Sequence, residues 1–174
     1  AWTISFQEDF VNAARARLTY DIEYDNRYEN IDYPMGDVSS DIGVCSDVVV
    51  RSYRTIGTDL QQLIHEDIIA NFKDYEFHKH WPFQEGPDTN IDHRRVLNIK
   101  TFFEKYAESL PITDNINDYN PGDIIIWKLP YGESLWHIGI VSDIKSRTGN
   151  YLIIHNIGSG FDRIGVGVGY GITK

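Results

Sequence analysis

Two runs decide the fold: His137-Ile138-Gly139-Ile140-Val141-Ser142-Asp143-Ile144 and Tyr151-Leu152-Ile153-Ile154-His155-Asn156-Ile157, joined by a polar stretch that holds Thr148-Gly149. Both are rich in β-branched residues, which suit a pleated, half-buried surface. A Gly-bearing join of this length makes them the arms of an antiparallel hairpin. A hairpin centred on Ser146 sets His137 directly opposite His155. Residues so paired have Cβ atoms about 4.5–5.5 Å apart on one face. A slip of one residue would turn His155 to the other face and offer Asn156 in its place.

Working outward, Pro121-Gly122 is a turn signal. It leads into Asp123 to Leu129, a third strand with three consecutive isoleucines. Residues 164 to 172 alternate Gly with apolar residues and predict a weak final strand. The first half has a different period. Ser5 and Glu8 have capping-box spacing ahead of Phe10, Ala14 and Leu18. Leu60, Ile64, Ile68 and Phe72 make one apolar helix face, and Val96, Ile99, Phe103, Tyr106 and Leu110 make another that ends at Pro111. Val44 to Arg54 is a shorter helix, while residues 20 to 44 and 73 to 92 read as loops. Helices first and an antiparallel sheet after define an α+β fold. The expected organisation is one domain over residues 1–174.

The chain of 174 residues is 41% hydrophobic and 13% aromatic, enough apolar surface to build a core. A net charge of −10 argues against a polyanion such as nucleic acid as partner. No apolar run approaches the length of about 18 residues that a membrane span needs. Ala1-Trp2-Thr3 does not open like a leader peptide. A single cysteine excludes an internal disulfide, and a lone Cys with histidines elsewhere fits both an inert buried thiol and a nucleophile.

Its neighbours favour the nucleophile. Cys45 stands where a loop bearing Gly43 meets the helix anchored by Val48 and Val49. A thiol at the positive end of a helix is poised toward thiolate. The expected pKa of Cys45 is therefore depressed, and alkylation well below pH 8.5, the usual free value, is the expected behaviour. His137, at the start of its strand, would take the thiol proton and return it to a leaving amine. His155, with Asn156 as the alternative, would fix the His137 tautomer. His65-Glu66-Asp67 and His78-x-His80 lack a recognised metal spacing, so no metal and no cofactor is expected.

These residues carry a resemblance. Tyr33-Pro34-Met35-Gly36 ahead of Cys45, Pro121-Gly122-Asp123 ahead of a strand, and His137-Ile138-Gly139-Ile140-Val141 resemble the NlpC-type branch of the papain-like cysteine peptidases and amidases. A closer likeness is to a bacterial domain-of-unknown-function family related to that branch. It is carried by Gly43-Val44-Cys45-Ser46-Asp47-Val48-Val49, His65-Glu66-Asp67, Asn90-Ile91-Asp92-His93-Arg94-Arg95-Val96 and His155-Asn156-Ile157-Gly158. The resemblance implies a papain-like fold, with the Cys45 helix packed on the sheet, and hydrolysis of an amide bond in or beside the peptidoglycan stem peptide. A periplasmic or secreted location follows from that substrate.

By the same resemblance Tyr33 would sit near the thiol and help bind the oxyanion or the substrate. Ser46 and Asp47 lie in the first helical turn, where an acid also simply complements the helix dipole. His93, Arg94 and Arg95 would meet a substrate carboxylate, since arginine pairs with carboxylates through two parallel bonds. Three rivals share these residues: acyl transfer to an amine, as in transglutaminase-like enzymes; a toxin of the same chemistry whose partner is an immunity protein; and a non-catalytic cell-wall binding module. The permuted lipid-acting relatives place His before Cys, the reverse of the order here.

Overall fold

A computed structural model describes residues 3–129, 135–157 and 165–169. Its helices come first. α1 (Thr3–Ala16) buries Phe10 and Ala14 on one face. It begins ahead of Ser5, so the capping-box spacing at that residue does not mark its start. α2 (Cys45–Thr55) carries three consecutive valines, Val48 to Val50, all buried. β-branched residues are indifferent helix formers, so packing rather than propensity holds this helix. α3 (Leu60–Asn71) is capped by Asp59, whose side chain accepts from the Gln61 N–H, and buries Leu60, Ile64 and Ile68.

The stretch expected as a loop over residues 73–92 holds a 3-10 turn at Phe72–Tyr75, a single helical turn α4 (Phe77–His80) and a second 3-10 turn at Asp92–Arg94. α5 (Val96–Tyr106) buries Val96, Ile99 and Phe102. Its apolar stripe stops sooner than the spacing predicts, and Tyr106 and Leu110 are 62% and 50% exposed.

In the region read as one long loop, β1 (Glu23–Tyr24) and β2 (Ile42–Gly43) pair in parallel, Tyr24 beside Gly43. The main sheet is antiparallel with four strands in sequence order: β3 (Ile124–Lys128), β4 (Trp136–Lys145), β5 (Tyr151–Ile157) and β6 (Gly165–Gly169). Gly122, at a φ of 95°, supplies the left-handed residue of the turn that feeds β3. β6 falls inside the predicted weak strand, and residue 164 and residues 170–172 of that prediction lie outside the described ones.

α2 packs on β4 and β5, and α1 packs on α2 and β4. Their shared core joins Phe10, Cys45, Val49, Ile64, Ile99, Ile138, Ile140 and Ile154. No helix among the described residues is long and apolar enough to cross a membrane.

The hairpin register differs from the expected one. Ile140 pairs with Ile154 and Val141 with Ile153, and a bulge lies between Val141 and Lys145. Carried on by one residue, this register sets His155 opposite Gly139 rather than His137. The offset is two residues, an even number, so His137 and His155 keep one face.

Candidate active site

β4 and β5 assemble the imidazole pair. His137 Nε2 and His155 Nδ1 are 2.9 Å apart, and the rings meet edge to face with centroids 5.1 Å apart. The two residues stand diagonally across the strands, and Gly139 between them makes the contact feasible. A Cβ at Gly139 would come within 2.5 Å of Ile153 Cγ2 and 3.2 Å of His155 Cβ. On the other side β3 brings Trp127 opposite His137. The Trp127 ring lies edge-on to His137 at 4.7 Å and to His155 at 5.9 Å. Burial pushes His137 down to about 3, with His155 adding to the shift, and burial also lowers His155. The pair is therefore neutral at physiological pH. One ring donates to the other, and the bond leaves His137 Nδ1 outside the pair.

Cys45 is the first residue of α2 and is 6% exposed. Its sulfur is faced by the backbone N–H groups of Ile138, Ser46 and Cys45 itself. Ile138 directly follows His137, so the thiol stands beside the start of the histidine strand. Among the described residues no hydrogen bond joins the thiol to either imidazole. The expected depressed pKa is corrected here. Burial pushes the thiol up to about 12, and the Asp47 charge adds to that, against the pull of the three N–H groups. Desolvation of a thiolate in this apolar packing outweighs the helix end. Burial therefore favours the neutral thiol.

Two networks fix the start of α2. Asp47 Oδ2 accepts from the Val44 N–H at 2.7 Å, and the carboxylate takes two bonds from Arg94, Nε at 3.0 Å and Nη2 at 2.9 Å. The side chains of this ion pair are 3% and 4% exposed. Arg94 also reaches the carbonyls of Asp25 and Arg27, and Ser46 Oγ donates to the Arg94 carbonyl at 2.6 Å. The structure sets Ser46, Asp47 and Arg94, the candidates for the oxyanion or the substrate, inside this network. All three are buried, and their hydrogen bonds to one another and to nearby backbone tie the start of α2 to the turn at Asp92–Arg94. His93 is likewise buried, and burial pushes it down to about 4, so it is no cation for a substrate carboxylate. Arg95 lies nearer the surface, stacked over Trp81 at 4.2 Å and paired with Asp92 at 3.5 Å.

Tyr33 is also misplaced by the expectation. It is 40% exposed, rests edge-on against His65 at 4.9 Å and feels Glu66 and Asp59 rather than the thiol. The tyrosine that feels the thiol is Tyr24, which pairs with Gly43 two residues ahead of Cys45. Burial raises its pKa first, and the charges of Cys45 and Asp47 raise it further. Sequence reading missed it because a two-residue strand gives no periodic signal. Asn156 does not approach His137. Its Nδ2 donates to the Gly43 carbonyl at 3.1 Å, which leaves the orienting position to His155.

A groove of about 630 Å³ lies elsewhere, lined by Tyr53, Leu63, Asp67, Phe102, Phe103 and Tyr106 among others, and it contains none of the expected site residues.

Comparison with known proteins gives a family and a relative. Residues 11–165 match the family described as a domain of unknown function, DUF1287. The chain is 46% identical over 149 residues to an uncharacterized protein, YijF, of Escherichia coli (strain K12), an alignment that covers 86% of this chain and 70% of the relative. No solved structure matches.

Proposed function

Because the chain belongs to the DUF1287 family, its functional reading must come from its own site, and we propose that it is a cysteine hydrolase of NlpC type that cuts an amide bond in or next to the peptidoglycan stem peptide. One observation carries the chemistry: a thiol at a helix start, faced by N–H donors that include Ile138, the residue that follows the strand histidine whose imidazole is bonded to a second imidazole. In the reading, His137 accepts the Cys45 proton as the sulfur attacks the carbonyl, so the costly buried thiolate need not exist on its own. His155 steadies the imidazolium that forms. The Cys45 N–H and the Tyr24 hydroxyl meet the oxyanion. His137 then protonates the leaving amine, and water opens the thioester. The substrate class and an extracytoplasmic location rest on the resemblance to cell-wall hydrolases.

The test is digestion of purified sacculi followed by mass spectrometry of the soluble fragments. New free amines without new reducing ends are expected, because glycosidic cleavage calls for two flanking carboxylates instead. His137→Ala should nearly abolish release, and His155→Ala should leave a residue of activity. Amine-capped products would move the reading to acyl transfer. Intact sacculi after long incubation, with Cys45 reduced and acylable, would remove peptidoglycan as the substrate.

A further inference from the structure

We propose that Asn156 is a positioning residue that aligns the peptide leading into Cys45 with the imidazole pair, an inference that rests on the hydrolase reading. The peptide unit between Gly43 and Val44 is held at both polar ends. Its carbonyl accepts from Asn156 Nδ2 at 3.1 Å, and its N–H donates to Asp47 Oδ2 at 2.7 Å. The neighbouring strand residue, His155, holds His137 Nε2 at 2.9 Å. Successive strand residues point to opposite sides. β5 therefore carries adjacent side chains that grip the two halves of the site, one the base and the other the segment bearing the nucleophile.

Stability alone does not account for the amide. Asn156 is 1% exposed, and among the described residues its buried Oδ1 has no partner. Such an orphaned acceptor costs about 1–3 kcal/mol, which an apolar side chain would avoid. What the amide supplies is one directed bond to Gly43. On its other flank Gly43 is already closely packed, since an added Cβ would lie 3.2 Å from Arg51 Nη1 and 3.3 Å from Asp47 Oδ2. The same Gly43 carbonyl accepts the Asp25 N–H at 3.0 Å, so the Asn156 bond is a second, side-chain tie that joins this segment to the strand bearing His155.

The experiment uses p-nitrophenyl acetate as an acylating probe, read by p-nitrophenol release and by mass spectrometry of acetylated Cys45. Asn156→Asp keeps the shape but, when ionised, faces the Gly43 carbonyl with an acceptor. At pH 8 its acylation rate should fall about 10- to 100-fold with KM unchanged, the scale of loss that about 1 Å of misplacement causes. Normalised to the wild type at each pH, the loss should shrink as the pH falls toward 5, because a protonated carboxyl donates where the amide did. A rate within twofold of wild type at pH 8 overturns the proposal, as does a loss that pH does not repair. Should Asn156→Asp fail to fold, Asn156→Ser, which keeps a donor with shorter reach, must lower kcat and leave KM unchanged. A wild type that acetylates Cys45 in a His137-dependent way while both Asn156 variants match it would defeat the positioning role alone. A wild type whose Cys45 is not acetylated, or is acetylated regardless of His137, defeats the hydrolase reading and this proposal with it.

Discussion

Asp47 and Asp67 are both buried carboxylates, 3% and 7% exposed, and both are saturated with donors. Asp67 accepts from Tyr75, Tyr106, Asn71 and Lys105. Burial works to raise its pKa, but the bonds from Lys105, Tyr106 and Tyr75 outweigh that and hold it below the ordinary range. Its partners come from α3, the turn after it and α5, a corner of neighbouring helices. Asp47 instead ties together the loop before α2, the turn at Asp92–Arg94 and, through Arg94, the carbonyls of Asp25 and Arg27. The lesson is that a buried, satisfied acid marks architecture wherever it sits. What distinguishes the candidate site is the group of ionisable side chains kept neutral there, Cys45, His137 and His155.

The sharpest way to break this contrast is Arg94→Met. It strands Asp47 as an uncompensated buried charge, which should cost about 3–5 kcal/mol of unfolding free energy. Denaturant titration would show the loss, and the acylation rate of the surviving folded protein should fall with it. An unchanged acylation rate would make the Asp47 network as remote from the chemistry as that of Asp67.

Next in size is pH. His93 and His137, pushed down to about 4 and about 3 chiefly by burial, stay neutral in the fold while the unfolded chain protonates near 6.5. Their contribution is complete above pH 6.5 and drains away as the pH falls toward the folded values, at about 1.4 kcal/mol per unit for each group. Denaturation midpoints should therefore drop steeply between pH 6.5 and 4, and His93→Gln should flatten the slope. Asp67, whose pKa is lowered, adds its own loss only below its ordinary value of 3.8.

Asp67→Asn should cost about 1–3 kcal/mol, the usual penalty when buried partners lose an acceptor, and leave Cys45 acylation unchanged. A matching fall in acylation would tie the helical corner to the site. The smallest effect is expected at Arg95→Ala. The residue is partly buried against Trp81 and paired with the buried Asp92, which keeps its bonds from the Asp88 N–H and Gln84, so its loss should cost about 1 kcal/mol. A rise in KM for muropeptides would nevertheless return Arg95 to the substrate surface.

The local elements were largely legible in the sequence. The valines after Cys45, the leucine and isoleucines of α3 and the β-branched runs of β4 and β5 announce their elements because each signal is carried by near neighbours. The pairing of His137 with His155 was also legible, although the register was not. The strands pair Ile140 with Ile154, two residues off the expected register, and only the period of two in strands kept the histidines on one face. Long-range partners were hidden. Nothing local marks Arg94 as the mate of Asp47, or Tyr24 rather than Tyr33 as the tyrosine that feels the thiol. The thiol pKa was misread because helix position is written in sequence and desolvation is not.

The bond from Asn156 to Gly43 spans 113 residues, and that from Arg94 to Asp47 spans 47. Contacts so distant in sequence close late, because the entropy of the intervening loop is lost before the contact repays it. During synthesis the nucleophile emerges long before the strand that steadies it. A chain still lacking β5 carries Cys45 without its Asn156 bond, so in the proposed reading reactivity waits for a strand translated well after the nucleophile.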